Sequence, residues 1–289
     1  MISEIEKLVP LAPLHNPGNL SGIRAAIAEF PSLTQVAVFD TAFHQTMPVS
    51  SYSYAIDANL AAQYGVRKYG FHGSSYAYVT AQAAEFLGKD LRDLNAIILH
   101  LGNGASACAI KNGKSFDTSM GMSPLPGLVM GTRSGDIDPA IIFYLHNEAE
   151  MGFDEIDLLL NSQSGLQGLT GSGDLRDVLE RAEQNEPAAV LAIEVYVQRI
   201  KHSLGAYLAE LGQIDAVVFT AGVGENAAPI RRLVCAGLEP VGIVLNQQLN
   251  QQHPSGTRSI SAESSKSQVL VIPTNEELEI ATRVAEFLE

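Results

Sequence analysis

The chain has 289 residues, 46% of them hydrophobic and 17% charged: enough apolar material for a substantial core, and no long charged tract of the kind that keeps a chain disordered. Its formal net charge of −14, from 18 Lys+Arg against 32 Asp+Glu, argues against nucleic acid and membrane partners, because both need a positive field. Two distant cysteines, Cys108 and Cys235, supply neither a disulfide framework nor metal-ligand spacing. No apolar run reaches the roughly 18 residues of a membrane span. The opening MISEIEKLVP is acidic and lacks a signal-length apolar run, so a cytoplasmic protein is expected.

In chain order, Val36–Phe39 (VAVF) is the first of four short apolar runs that read as buried strands. Tyr78–Leu87 has helical apolar spacing, with Gly88 as its stop. Ala96–Leu99 (AIIL) is the second strand. Ala105–Ile110 and Lys114–Thr118 read as a hairpin joined through Asn112-Gly113, a strong turn signal. Ala188–Leu211 is a long amphipathic helix ending near Gly212. Ala216–Phe219 (AVVF) and Val269–Ile272 (VLVI) are the remaining strands, residues 251–267 a polar exposed loop, and Asn275–Leu288 a closing helix.

Each of the four strands runs directly into polar or glycine-rich residues, where open α/β sheets bind ligands. After Ala96–Leu99 come His100, Leu101, Gly102, Asn103 and Gly104, whose glycines let backbone N–H groups approach a ligand. The segment is not a Walker A loop, and a tight strand-to-strand turn is the alternative. After Ala216–Phe219 come Gly222, Val223, Gly224, Glu225 and Asn226, suited to backbone contact with a nucleotide or merely to capping a helix. Arg133, set among glycines, has the fork of donors that matches phosphate oxygens, unless Asp136 or Asp138 pairs with it. Asp40, at a strand end, and His72, between glycines, are candidates for chemistry; Asp40 to His44 could equally form a capped turn.

Seven phrases in order resemble the acetate kinase family: LAPLHNPGN (11–19), VAVFDTAFHQTMP (36–48), YGFHGSS (69–75), HLGNGAS (100–106), DTSMGMSPLPGLVMGTRSGDIDP (117–139), VVFTAGVGEN (217–226) and IPTNEE (272–277). The resemblance implies an α/β, actin-like ATPase (ribonuclease H-like) fold of two domains, each around a mixed five-stranded sheet, with the site between them. It implies reversible transfer of the ATP γ-phosphoryl to acetate. In it, His100 to Gly104 form the phosphate loop, and Asp174, Leu175, Arg176 and Gly222 to Asn226 the adenosine-side contacts. Arg133 and His72 hold the transferring phosphoryl. Asp40 and Glu276 are the acidic residues associated with Mg²⁺ or Mn²⁺, and Leu14, Phe71 and Pro124 wall the acetate methyl pocket. Acetate is already ionised at neutral pH and needs no general base. A homodimer is also implied.

Two departures from the family stand out. The usual opening strand with its Asn-x-Gly-Ser-Ser-Ser turn, and the arginine that grips the substrate carboxylate, do not occur. Residues 1–39 are therefore expected to be the remnant of a first domain, completed by 279–289, beside a nucleotide-binding domain of residues 40–278 in a truncated chain. Tyr76 also stands where the family usually has histidine, so no histidine role transfers there. A propionate or other short-chain acyl kinase, and a catalytically silent nucleotide-binding remnant, are the competing functions.

Overall fold

The computed structural model describes residues 1–9 and 16–288. Helices α1 (Ile2–Lys7), α2 (Asn16–Glu29), α3 (Val49–Tyr52), α4 (Ala58–Tyr64) and α5 (Gly73–Leu87) precede the first strand. Strands β1 (Ala96–Leu101), β2 (Ala105–Lys111) and β3 (Lys114–Thr118) form a meander. A helical stretch follows: α6 (Ala140–Glu148), α7 (Phe153–Ser162), α8 (Gly165–Thr170), α9 (Leu175–Glu183) and α10 (Pro187–Leu211). Strand β4 (Ala216–Thr220) leads into α11 (Ala221–Asn226), α12 (Ala228–Cys235) and α13 (Gln247–Gln251), and β5 (Arg258–Ser259), β6 (Gln268–Val271) and α14 (Glu276–Leu288) finish the chain.

One mixed sheet results, in the order β3-β2-β1-β4-β6-β5, one strand more than the five expected. The added strand is β5, a two-residue edge. The three central strands β1, β4 and β6 are parallel, and the edges are antiparallel. Their apolar runs are continuous because both faces are covered. The twofold alternation of a strand divides each run between two cores. Ile97, Leu99, Val217, Phe219, Val269 and Val271 face α10, through Ile193, Tyr196, Ile200 and Leu204. Ile98, Val218 and Leu270 face α5, through Tyr76, Val79 and Ala83. The hairpin turns at Asn112 and Gly113, both with positive φ (53° and 71°), as an Asn-Gly type I′ turn requires. Helices α5 and α10 end at Gly88 and Gly212, both with positive φ. Both cysteines are buried and free.

Two sequence expectations are corrected. Val36–Phe39 forms no strand; it runs irregularly, with Phe39 exposed. A four-residue apolar run becomes a strand only beside a pairing partner, and none pairs with it among the described residues. It separates two open grooves instead, one shared with Ile5, Leu8 and Ile23 and the other with Phe43, Ala77 and Phe287. The polar segment 251–267 is not simply a loop: it contains β5 and the fully buried Ile260, and Ser261 bridges Leu245. Its polarity is accommodated because the Ser259 and Ser261 hydroxyls both donate to Gln268 Oε1. β1 also runs two residues past the expected end, placing His100 and Leu101 within the sheet. Among the described residues no helix is long and apolar enough to cross a membrane.

Candidate active site

The carboxyl ends of the parallel strands converge on a pair of stacked histidines. His72 and His100 lie with ring centroids 4.1 Å apart and planes 14° from parallel. The His72 Nδ1 is 2.8 Å from Ser106 Oγ, which is 2.5 Å from the Tyr76 hydroxyl. The His100 Nδ1 is 2.9 Å from Ser75 Oγ, which is 2.7 Å from Thr274 Oγ1. Each ring is thus oriented through one nitrogen, leaving Nε2 for a ligand. Burial, followed by the nearby His44 and Arg133, lowers the His72 pKa to about 4. Burial and the facing His72 lower that of His100 to about 3, against a weak opposing pull from Asp40. Both rings are therefore neutral at physiological pH.

His72 holds a left-handed backbone, φ 59°, immediately before α5. Strain of this kind in a non-glycine residue persists where the surroundings enforce it, and here Asp40 does so. Its Oδ2 accepts the His72 N–H at 2.6 Å, its Oδ1 the Ser74 N–H at 3.2 Å, and its carbonyl the Gly73 N–H at 2.9 Å. The carboxylate sits at the positive end of α5. A Cβ on Gly73 would lie 2.1 Å from the Asp40 carbonyl oxygen, so only glycine allows this approach. The Asp40 carboxylate thus caps α5, while the turn Ala42–Thr46 that follows Asp40 has no side-chain cap of its own.

Arg133 is partly buried and has no acidic partner among the described residues, and burial lowers its pKa. The aspartates that might have paired with it are engaged elsewhere: Asp136 accepts the Gly127 N–H and Asp138 the Ala140 N–H. A Cβ built on Gly104 would touch His72 Nε2 at 3.5 Å and Arg133 Nη1 at 3.8 Å. His72, Arg133 and the glycine turn therefore border one small space, with an uncompensated cation at its edge.

Beside it lies a cavity of about 820 Å³. Of the residues assigned to nucleotide contact, Gly102, Asn103, Asp174, Leu175, Arg176, Gly222, Val223 and Asn226 line it. Asp174 caps α9 and forms an ion pair with Arg176 at 2.6 Å. The other assigned residues stand outside it. Leu101 is in the core, His100 and Gly104 face His72, and Gly224 packs under Phe219. Glu225 accepts the Thr274 N–H, joining the exits of β4 and β6. Helix α11 starts at Ala221, whose φ of 63° makes the sharp turn out of β4.

A second cavity, of about 700 Å³, reaches Asp40 and Phe71 from the side of α1 and α2. Pro124 lies in the loop after β3 and lines neither cavity. Leu14 falls outside the described residues. Glu276 is the first residue of α14; burial, then the charge of Asp40, raises its carboxyl pKa. No group of three or more His, Cys, Asp or Glu side chains forms a metal cage among the described residues. Two carboxylates that repel each other suit a hard cation that takes its other oxygens from a bound phosphate.

Sequence reasoning missed the hydroxyls of Ser75, Ser106, Tyr76 and Thr274 as the supports of the two histidines. It also missed Arg231. That side chain is fully buried and donates to the carbonyls of Gly224 and Glu225 and to Asn250, holding α11 from below. The serines stood inside the quoted phrases FHGSS and HLGNGAS, but their pairing across 25 to 34 residues left no trace in spacing.

The family model described as "Acetokinase family" matches residues 1–282. The chain belongs to the acetokinase family. An acetate kinase of Leifsonia xyli is 57% identical over 96% of this chain and 70% of that protein. One of Streptomyces coelicolor is 54% identical over 98% and 70%. This member of the family thus spans about 70% of the length of those relatives. The solved acetate kinase of Porphyromonas gingivalis superposes with a TM-score of 0.95 at 45% identity, covering all of this chain and 72% of that one. A propionate kinase of Francisella tularensis superposes at 0.92 and 45% identity, over 97% of this chain and 71% of that one. The α/β fold of the family, an actin-like ATPase fold, is therefore the fold of this chain.

Proposed function

We propose that the chain is an acetate kinase, which transfers the γ-phosphoryl of ATP reversibly to acetate, giving acetyl phosphate and ADP. The observation that carries this reading is the partly buried Arg133 guanidinium, free of any acid among the described residues, beside His72 Nε2 and the Gly104 turn. Phosphoryl transfer is mostly positioning and charge neutralisation. An unpaired, partly desolvated guanidinium is suited to the equatorial oxygens of the moving group. Neutral His72, its Nδ1 facing Ser106, directs Nε2 at the same space. The nucleotide occupies the cavity of about 820 Å³, phosphates toward Gly102 and Asn103 and base toward the apolar wall. Asp40 and Glu276 hold Mg²⁺, or Mn²⁺, which neutralises phosphate charge when bound. Asp40 at the same time keeps His72 in its strained conformation.

Acetate approaches from the second cavity, past Phe71. A short-chain acyl kinase is the second reading, supported by the superposition on a propionate kinase. One methylene in an apolar pocket is worth only about 1–3 kcal/mol. ³¹P NMR of the chain with MgATP and acetate tests the proposal: acetyl phosphate should accumulate, and faster than propionyl phosphate from propionate. A faster propionate reaction would favour the second reading, and neither product would refute both.

The protein is further proposed to form a homodimer through α6. This helix reads AIIFYLHNE and buries none of its residues. Ile141, Phe143 and Tyr144 are exposed on it and Phe153 on its neighbour α7, large apolar side chains left facing solvent. Nothing charged interrupts Ala140–Leu145, so a second copy can cover it despite the net charge.

A further inference from the structure

Behind His72 lies a closed relay of two hydroxyls, and counting its protons places the one on the histidine. Ser106 and Tyr76 are both fully buried. The Tyr76 hydroxyl has one acceptor among the described residues, Ser106 Oγ at 2.5 Å. The His100 backbone N–H also lies beside that oxygen, but an N–H can only donate. A buried O–H without an acceptor is destabilising, so Tyr76 donates to Ser106. Burial raises the Tyr76 pKa well above its usual value, so this proton stays in place. Ser106 Oγ has two partners among the described residues, Tyr76 and, at 2.8 Å, His72 Nδ1. Having accepted from the first, it gives its own proton to the second. His72 Nδ1 is therefore an acceptor, and the one proton of the neutral ring sits on Nε2. The companion relay behind His100 lacks this property. It ends on Thr274, which is partly exposed and can turn its hydroxyl to solvent.

The place of that proton decides what His72 can do. A neutral imidazole carries its proton on either nitrogen, and the hydrogen bond made by the other nitrogen selects which. His72 Nε2 borders the same space as Arg133 Nη1, beside Gly104. An N–H there donates to a phosphoryl oxygen, whereas the opposite tautomer would turn a lone pair toward that oxygen and repel it. We propose that Ser106 is a positioning residue: its hydroxyl, committed as a donor by Tyr76, fixes His72 as the Nε2–H tautomer that donates to the transferring phosphoryl group. The role in transfer rests on the reading of the His72–Arg133 space as the phosphoryl site; the tautomer does not.

Nitrogen-15 NMR of the His72 ring in the free protein at pH 7.5 reads the tautomer directly. The proton should sit on Nε2 in wild type and be shared between the two nitrogens in Ser106→Ala. In ATP formation from acetyl phosphate and MgADP, Ser106→Ala should lower kcat by about tenfold to a hundredfold, the scale of one hydrogen bond to a charged group. Its KM for MgADP should stay within twofold of wild type, because Ser106 does not line the large cavity. The single variant also strands the Tyr76 hydroxyl and should melt lower. Ser106→Ala combined with Tyr76→Phe removes both partners, so it should regain melting temperature while staying as slow as Ser106→Ala. A wild-type proton on Nδ1, an unchanged tautomer in Ser106→Ala, a kcat within threefold, or recovery of kcat in the double variant would each overturn the inference. No ATP formed by the wild-type chain would overturn the phosphoryl reading and this role of Ser106 with it, even with the proton on Nε2.

Discussion

Acidification should unfold this protein through its stacked histidines, and the effect can be calculated. His100 is 7% exposed and burial lowers its pKa to about 3, from 6.5 in an unfolded chain. The folded value lies below the unfolded one. The stabilisation is therefore complete above pH 6.5 and is lost as pH falls from 6.5 toward 3. At pH 5.0 the unfolded histidine has taken its proton and the folded one has not. That gap of 1.5 pH units corresponds to about 2 kcal/mol of lost stability. His72 loses stability in the same direction, from pH 6.5 toward 4, and burial acts in the same sense on His44. Urea unfolding at pH 7.5 and 5.0 checks this. The wild-type chain should lose about 2 kcal/mol more between the two pH values than His100→Asn does, because His72 and His44 are common to both. Equal losses in the two proteins would show that His100 titrates as a solvated histidine, and would refute the burial argument for the pair.

Other consequences are open to measurement. Replacing Arg133 by Gln should lower kcat for acetyl phosphate formation by about 10²–10³, the scale of losing one preorganised transition-state donor. The variant should fold as well as wild type, because no ion pair is broken; a kcat within threefold, or a marked fall in melting temperature, would make Arg133 structural. Placing a charge on the apolar helix, Phe143→Glu, should convert dimer to monomer in sedimentation without loss of fold, since Phe143 is 60% exposed. A wild-type monomer, or an unaltered dimer, would remove α6 as the interface.

The legible part of this fold was its centre. Ala96–Leu99, Ala216–Phe219 and Val269–Ile272 are apolar without interruption because helices cover both faces of the sheet, and that continuity survives in one dimension. Asn112-Gly113 was legible because a type I′ turn has a local requirement. Val36–Phe39 has the same composition as the central strands and is not one, because pairing depends on a neighbour that a run of four residues cannot specify. The β5 edge was hidden by the polar Ser259 within it and Ser261 just after it, whose hydroxyls are satisfied by Gln268. At the site, glycine turns and the arginine between them could be seen, since each needs a particular residue. The supports of His72 and His100 could not, because serine and threonine serve in loops everywhere and only folding brings Ser75 to Thr274, 199 positions away. Arg231 read as an ordinary helix residue until burial gave it a set of carbonyls to hold.

The central claim is phosphoryl transfer between nucleotide and acetate at the His72–Arg133 space. The most direct measurement is luminescent detection of ATP formed by the purified chain from acetyl phosphate and MgADP, with Arg133→Gln as its control. The account predicts ATP formation by the wild-type chain and its near-complete loss in the variant. Binding of ADP with no ATP formed, or equal rates from the two proteins, would contradict it.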